Sequence, residues 1–404
     1  MPPLAPRICC LDLDTFFVSV ERLLDPSLEG LPVVVGGRPG QRGVVTAASY
    51  EVRAFGVRSG MSMTDAVRLA PHAVFLPTRH GTYEPYAQQV REIAKRFSPV
   101  VRVASIDEMF LDFRGCERLY RQPGDPGPDE TIFRVVQELT GAIRQEVGLP
   151  ASAGVATGKD LAKVASGLAK PKGVLMVRAG AEARVLAPLP VRKFPGIGPV
   201  AEQKLASVGI TTLGQLAAAP PPLVRRVFGS WAERVRRGAG GLAPAELGRE
   251  QPAFREYDPE GEVVGSISNE RTFHADVGDE ATVRSMLCAL CERVCWRARK
   301  RGVKARTVTL KLRYSDFHTI SRSRTIAATS SEAAVIAAIR ASYRRARTRR
   351  LPIRLLGVAL SNLEVDDGQL SLFDQFERVG SAIDAVRERY GFDAVRLATG
   401  RAHR

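Results

Sequence analysis

The chain has 404 residues, 45% apolar and 25% charged, which is room for two to four domains of ~100–200 residues and too apolar for wholesale disorder. No apolar run approaches the ~18 residues of a membrane span. The opening Met1-Pro2-Pro3-Leu4-Ala5-Pro6-Arg7 lacks a signal-peptide layout, so a cytoplasmic protein is expected. Lys and Arg number 59 against 43 Asp and Glu, a net +16, and the excess is localised. Val263–Asn362 carries 20 basic and 7 acidic residues, a net +13, whereas residues 363–404 carry 6 and 8. A polyanionic partner, nucleic acid first, explains that asymmetry better than a solvated surface does.

In chain order, residues 7–13 read as a short buried strand, with Asp14 placed to cap a helix over Thr15–Leu24. Strands are expected at 32–35 and 44–47, and helices at Met63–Leu69 and Tyr83–Phe97. Val100–Val103 and Met109–Phe113 read as strands around a turn at Ser105-Ile106-Asp107-Glu108, followed by a helix near 131–147 and a strand at 153–156. That order describes a split βαβ, ferredoxin-like sheet with an insertion after the first helix. From Val174 to Gly241 short helices are expected, and 242–262 reads as a linker. The basic block then opens with a strand at 263–267, a helix at 281–301, strands at 307–314 and 319–325, a helix at 332–345 and a strand at 354–360, a separate α+β module. Cys288, Cys291 and Cys295 recur at i, i+3 and i+7 beside Leu287 and Val294, which predicts a buried helix face and not a zinc site.

Asp12 stands among apolar residues on the first strand, and Asp107-Glu108 on the hairpin. In a split βαβ sheet these would meet, and three converging carboxylates need cations. Hard divalent ions suit oxygen ligands, and two of them would stabilise an in-line phosphoryl displacement.

The motifs Asp12-Leu13-Asp14-Thr15-Phe16-Phe17, 48–57 (Ala-Ser-Tyr-Glu-Val-Arg-Ala-Phe-Gly-Val), 105–112 (Ser-Ile-Asp-Glu-Met-Phe-Leu-Asp) and 169–173 (Ala-Lys-Pro-Lys-Gly) resemble those of Y-family translesion DNA polymerases. The likeness is closest to the bacterial DinB type and runs from about residue 7 to 373. It implies an α+β, multidomain right hand: a ferredoxin-like palm (1–15 and 80–173), small fingers (16–79), a helical helix-hairpin-helix thumb (174–241), a linker (242–262), an α+β little finger (263–362) and a tail (363–404). It also implies two Mg²⁺ held by Asp12, Asp107, Glu108 and the Leu13 carbonyl, with those carboxylates catalytic. Thr46, Tyr50, Arg53 and Lys170 match the residues around the dNTP triphosphate, and Phe17 the aromatic that excludes a 2′-OH. Two departures are Met109-Phe110, where Ala-Tyr or Ala-Phe is commoner, and Ser49, where Asn is.

The run 194–199 (Phe-Pro-Gly-Ile-Gly-Pro) resembles a helix-hairpin-helix, whose Gly196 and Gly198 would let backbone amides approach a DNA phosphate. Residues 307–314 alternate with period two, so Thr309, Lys311 and Arg313 would face outward and, with Arg322 and Arg324, grip primer–template DNA without reading bases. Gln369-Leu370-Ser371-Leu372-Phe373 resembles the bacterial sliding-clamp-binding peptide, with Gln369, Leu370, Leu372 and Phe373 as contacts. A monomer is expected. Two other readings fit the residues: a catalytically inactive scaffold that binds DNA and clamp, and another phosphoryl-transfer enzyme on the same palm, such as a nucleotide cyclase.

Overall fold

The computed structural model describes residues 6–242, 265–366 and 375–396. The chain divides into two compact units, residues 1–257 and 258–404.

In chain order the first unit holds β1 (Ile8–Leu13), α1 (Phe16–Leu24), β2 (Val33–Gly36), β3 (Val45–Ala48), α2 (Tyr50–Arg53), α3 (Met63–Leu69), β4 (Val74–Pro77), α4 (His80–Phe97), β5 (Val100–Val103) and β6 (Glu108–Asp112). These are followed by α5 (Pro128–Glu146), β7 (Ala151–Ala156), α6 (Lys159–Ala169), β8 (Val174–Met176) and five short helices, α7 (Glu182–Leu186), α8 (Pro199–Ala206), α9 (Leu213–Ala218), α10 (Pro221–Phe228) and α11 (Ala232–Ala239). The main sheet has the order β5-β6-β1-β7-β8, which places β1 beside the hairpin strand β6 as a split βαβ arrangement requires. A second sheet, β3-β2-β4, lies within the insertion.

Both faces of β1 are buried, which is why it reads as a continuous apolar run. Cys9, Leu11 and Leu13 enter one core with α4 and α5 residues such as Val90 and Leu139. Ile8 and Cys10 enter another with Ala162 and Ala165 of α6 and the short helices beyond. Strand period places Asp12 on this second face.

Four elements escaped the pattern: α2, β4, α6 and β8. Val174–Met176 does not open the helical stretch expected there; it is a fifth strand, parallel to β7. Helix α6 presents the small residues Ala162, Ala165 and Ser166 to the sheet, on which it lies directly. A Cβ on Gly154 of β7 would sit 2.1 Å from the Ser166 amide and 2.3 Å from the Ala162 carbonyl.

The second unit holds β9 (Ser266–Val277), α12 (Glu280–Lys300), β10 (Val303–Tyr314), β11 (Thr319–Thr329), α13 (Glu332–Ala346), β12 (Ile353–Val365) and α14 (Gln375–Tyr390), with sheet order β11-β10-β12-β9. Val308, Leu310 and Leu312 pack with Cys288, Cys291 and Cys295 of α12 and Ile339 of α13, so the three thiols are core residues and none is disulfide-bonded. Apart from Leu242, the expected linker lies outside the described residues.

Candidate active site

Asp12 and Glu108 are direct partners across the antiparallel β1–β6 ladder, so their side chains share the face that α6 covers. Asp107 is tied in by its carbonyl, which accepts the Leu13 amide at 2.9 Å, and its Oδ1 accepts the Ser105 hydroxyl at 2.5 Å. The turn closes when the Ala104 and Ser105 amides both donate to the Glu108 carbonyl, at 2.9 and 3.1 Å. Glu108 is therefore the first residue of β6 and not part of the turn.

Like charges opposed across a strand pair repel, and here each finds its own cation. Lys170 Nζ donates to Asp12 Oδ1, and Lys163 Nζ to Glu108 Oε2. The expected convergence of three carboxylates on one point is not what the structure shows. Among the described residues no three Asp, Glu, His or Cys side chains are gathered to hold a metal ion. Two observations nonetheless fit a hard cation to this donor set. Glu108 Oε1 is buried with no hydrogen-bond partner. Burial, opposed by Lys170 and aided by Asp107 and Glu108, pushes the Asp12 carboxyl up to about 6, a shift that a further cation on this face would offset.

Asp14 is not the helix cap expected of it. Thr15 stands at the N-cap in a left-handed conformation (φ 46°) and makes no side-chain cap bond. The Asp14 carboxylate, 1% exposed, instead accepts the Tyr50 hydroxyl at 3.0 Å, the Ser152 hydroxyl at 2.8 Å and the Lys172 amide at 2.8 Å, with Lys170 Nζ at 3.5 Å. It thus joins β1, β7, α2 and the 170–172 loop. Burial, followed by the Asp14 carboxylate, pushes Tyr50 above its ordinary range, so the phenol keeps its proton.

Tyr50 opens α2, which Ser49 caps: its buried hydroxyl accepts the Val52 amide at 3.3 Å and the Val33 amide at 3.1 Å. The Arg53 guanidinium lies over the Tyr50 ring, 4.8 Å from its centroid, with Nε donating to the Ala48 carbonyl at 3.1 Å. Thr46 Oγ1 donates to the Val35 carbonyl at 2.9 Å and lies 3.0 Å from Thr78 Oγ1, so its hydroxyl is engaged within the small sheet. Phe17, partly buried, packs against the core that includes Tyr83.

Gly196 has φ +87°, which lets the chain turn into Gly198, the N-cap of α8. With Lys163, Arg192 and Lys193 these glycines line a 530 Å³ cleft. In the second unit Thr309, Lys311 and Arg313 alternate with buried neighbours as expected. Arg322 and Arg324 are exposed, but they pair with Leu310 and Val308 across the ladder, so against expectation they lie on the opposite face of the sheet from Lys311. The outward groups pair among themselves: Thr309 Oγ1 lies 2.9 Å from Ser323 Oγ, Arg313 Nε donates to Thr319 at 2.8 Å, and Lys311 donates to both Glu270 oxygens at 2.8 Å. A Cβ on Gly357 would come within 2.8 Å of the Glu270 side chain, so glycine keeps this patch flat. Gln369, Leu370, Leu372 and Phe373 lie outside the described residues.

Sequence reasoning missed Lys163, Asp14's role and Tyr83. The available signal for Lys163 was its place seven residues before Lys170, about two helical turns ahead of the residue that ends α6.

Residues 11–167 match the impB/mucB/samB family, 264–372 that family's C-terminal domain, and 180–210 its HHH motif. The chain is 36% identical to DNA polymerase IV of Dehalococcoides mccartyi over 409 residues, covering 98% of each. It is 36% identical to DNA polymerase IV of Caulobacter vibrioides, covering 98% of this chain and 94% of that one. Among solved structures, a Y-family DNA polymerase chimera superposes with a TM-score of 0.75 at 22% identity, covering 89% of this chain and 99% of that one. DinB from Sulfolobus solfataricus superposes with a TM-score of 0.57 at 23% identity, over the same shares.

Proposed function

The chain belongs to the impB/mucB/samB family of Y-family DNA polymerases, and we propose that it extends a primer 3′ end with dNTPs opposite damaged or distorted template, at low fidelity and without proofreading. The observation that carries this reading is the Asp12–Glu108 cross-strand pair with Asp107 beside it, each end of the pair held by a lysine. Asp12, Asp107, Glu108 and the Leu13 carbonyl would hold Mg²⁺, two per site. Those ions, when bound, lower the barrier by activating the 3′-OH and stabilising the departing pyrophosphate.

The remaining work falls to the chain's own groups. Arg53 forks onto triphosphate oxygens and Lys170 supplies a point charge there. Tyr50 and Thr46 line the same approach. Phe17 fills the space a 2′-OH would need. The Gly196–Gly198 turn and the outward groups of β10 and β11 hold the DNA backbone without reading sequence. Gln369–Phe373 engages the sliding clamp, and the enzyme works as a monomer in the cytoplasm. No helix of the described residues is long and apolar enough to cross a membrane.

Primer extension across a panel of defined template lesions tests the reading. Bypass of at least one lesion that stalls a replicative polymerase supports it, and extension confined to undamaged template contradicts it. In the same assay, replacing Leu372 and Phe373 by Ala removes stimulation by added clamp while basal extension persists.

A further inference from the structure

Lys163 has no part in the sequence reading or in the reaction as proposed, yet its ammonium donates to the Glu108 carboxylate. Its position is built. Gly154 lets α6 lie directly on β7, which brings Lys163 over the β1–β6 pair. The Glu108 side chain is 9% exposed and that of Lys163 35%, so the partner of this buried carboxylate reaches solvent. The second oxygen, Oε1, is buried without a hydrogen-bond partner. Glu108 is therefore a buried carboxylate with one oxygen on an ammonium and the other unpartnered.

We infer that Lys163 is a resident counter-cation, which holds Glu108 in the metal-free protein and leaves it when a divalent ion binds. The inference rests on the proposed role of Glu108 as a metal ligand. A divalent ion drawn to the unpartnered Oε1 would sit beside the ammonium held on Oε2, and its charge repels that ammonium. Lys163 also lines the 530 Å³ cleft with Gly196, Ile197 and Gly198. The released ammonium therefore faces the turn assigned to the DNA backbone, where a phosphate can receive it. Metal binding and DNA binding then favour each other through one side chain, because each removes the competitor of the other, and such coupling is reciprocal.

The test is a Mn²⁺ titration followed by electron paramagnetic resonance, first without DNA, on wild type, Lys163→Met, Lys163→Arg and Glu108→Gln, with circular dichroism to check folding. Lys163→Met binds Mn²⁺ about fivefold tighter or more than wild type, the lower range of measured site-to-site couplings. Lys163→Arg stays near wild type, because it keeps the charge. Glu108→Gln binds more weakly, and adding Lys163→Met to it restores nothing. With primer–template present, wild type moves toward Lys163→Met and the gap narrows. Equal affinities of wild type and Lys163→Met without DNA, alongside a weakened Glu108→Gln, overturn the inference alone. Unchanged binding by Glu108→Gln overturns the metal-ligand reading, and the inference with it.

Discussion

The Phe17 ring lies flat on Tyr83, with centroids 4.2 Å apart and planes 17° from parallel. Tyr83 is fixed in turn: its hydroxyl donates to Glu21 Oε1 at 2.6 Å, and Arg79 closes on the same carboxylate. An aromatic meant to exclude a hydroxyl by contact has to stay where it is, and this stack on a buried, hydrogen-bonded partner holds it. Phe17→Ala is therefore expected to admit ribonucleotides. Tyr83→Ala is expected to loosen the same discrimination less, by letting Phe17 move. Steady-state kinetics with dNTP and rNTP read both, and unchanged discrimination in Phe17→Ala would return Phe17 to a purely packing role.

Asp14 gathers three donors in a buried site. Asp14→Ala leaves them without an acceptor and should cost ~1–3 kcal/mol for each donor that stays buried and unsatisfied, visible as a lower melting temperature. Asp14→Asn keeps one oxygen and should be milder. Because Tyr50 and the 170–172 loop both lean on Asp14, either change is expected to raise KM for dNTP more than it lowers kcat. A wild-type KM in a folded Asp14→Ala protein would contradict this.

How far the sequence carried is clearest at this residue. Helical spacing located α3 to the residue, a continuous apolar run located β1 to within one, and period two found β10 but missed its first four residues, 303–306. The Asp14 expectation failed because a cap and a buried hub look alike in one dimension. Thr15 in a left-handed conformation delays the helix, and the partners of Asp14 come from 36, 138 and 158 residues away. Helix α6 was missed for a related reason. Its small residues dilute the apolar stripe, and they are small only because Gly154 admits close contact with β7. With α6 unseen, the two lysines on the carboxylates could not be paired with them, although Lys170 was already marked by its motif.

Asp12 gives a pH dependence. Its folded value is raised from 3.8 to about 6, so ionisation costs the folded state more than the unfolded one. Below about pH 4 both states are protonated and there is no penalty. As the pH rises from about 4 to 6, that stability is lost, on the order of 2–3 kcal/mol for a shift of about two units. In EDTA, Asp12→Asn should gain stability relative to wild type across that window, and added Mg²⁺ should shrink the difference above pH 6. Parallel melting curves for the two proteins from pH 4 to 7 in EDTA would contradict the assignment.

The outward face of β10 and β11 predicts binding without sequence preference. Replacing Lys311 and Arg313 by Ala should weaken DNA binding alike on unrelated duplexes. It should also flatten the plot of log affinity against log salt by ~0.9 for each phosphate no longer neutralised. Glu270→Gln releases Lys311 from its ion pair and should act in the opposite direction. Fluorescence anisotropy over a salt series measures both, and a weakening confined to one sequence would contradict phosphate holding.

The most direct test of the central claim is primer extension by Asp107→Ala, measured with DNA binding on the same preparation. Asp107 sits at the hairpin turn with its side chain half-exposed, so its removal should leave the fold and the DNA grip intact. The account predicts that extension is abolished, because charge stabilisation worth several kcal/mol is lost, while DNA binds as in wild type. Residual extension above ~10% of wild type, against the several kcal/mol at stake, would contradict a role for this carboxylate in holding the catalytic ions.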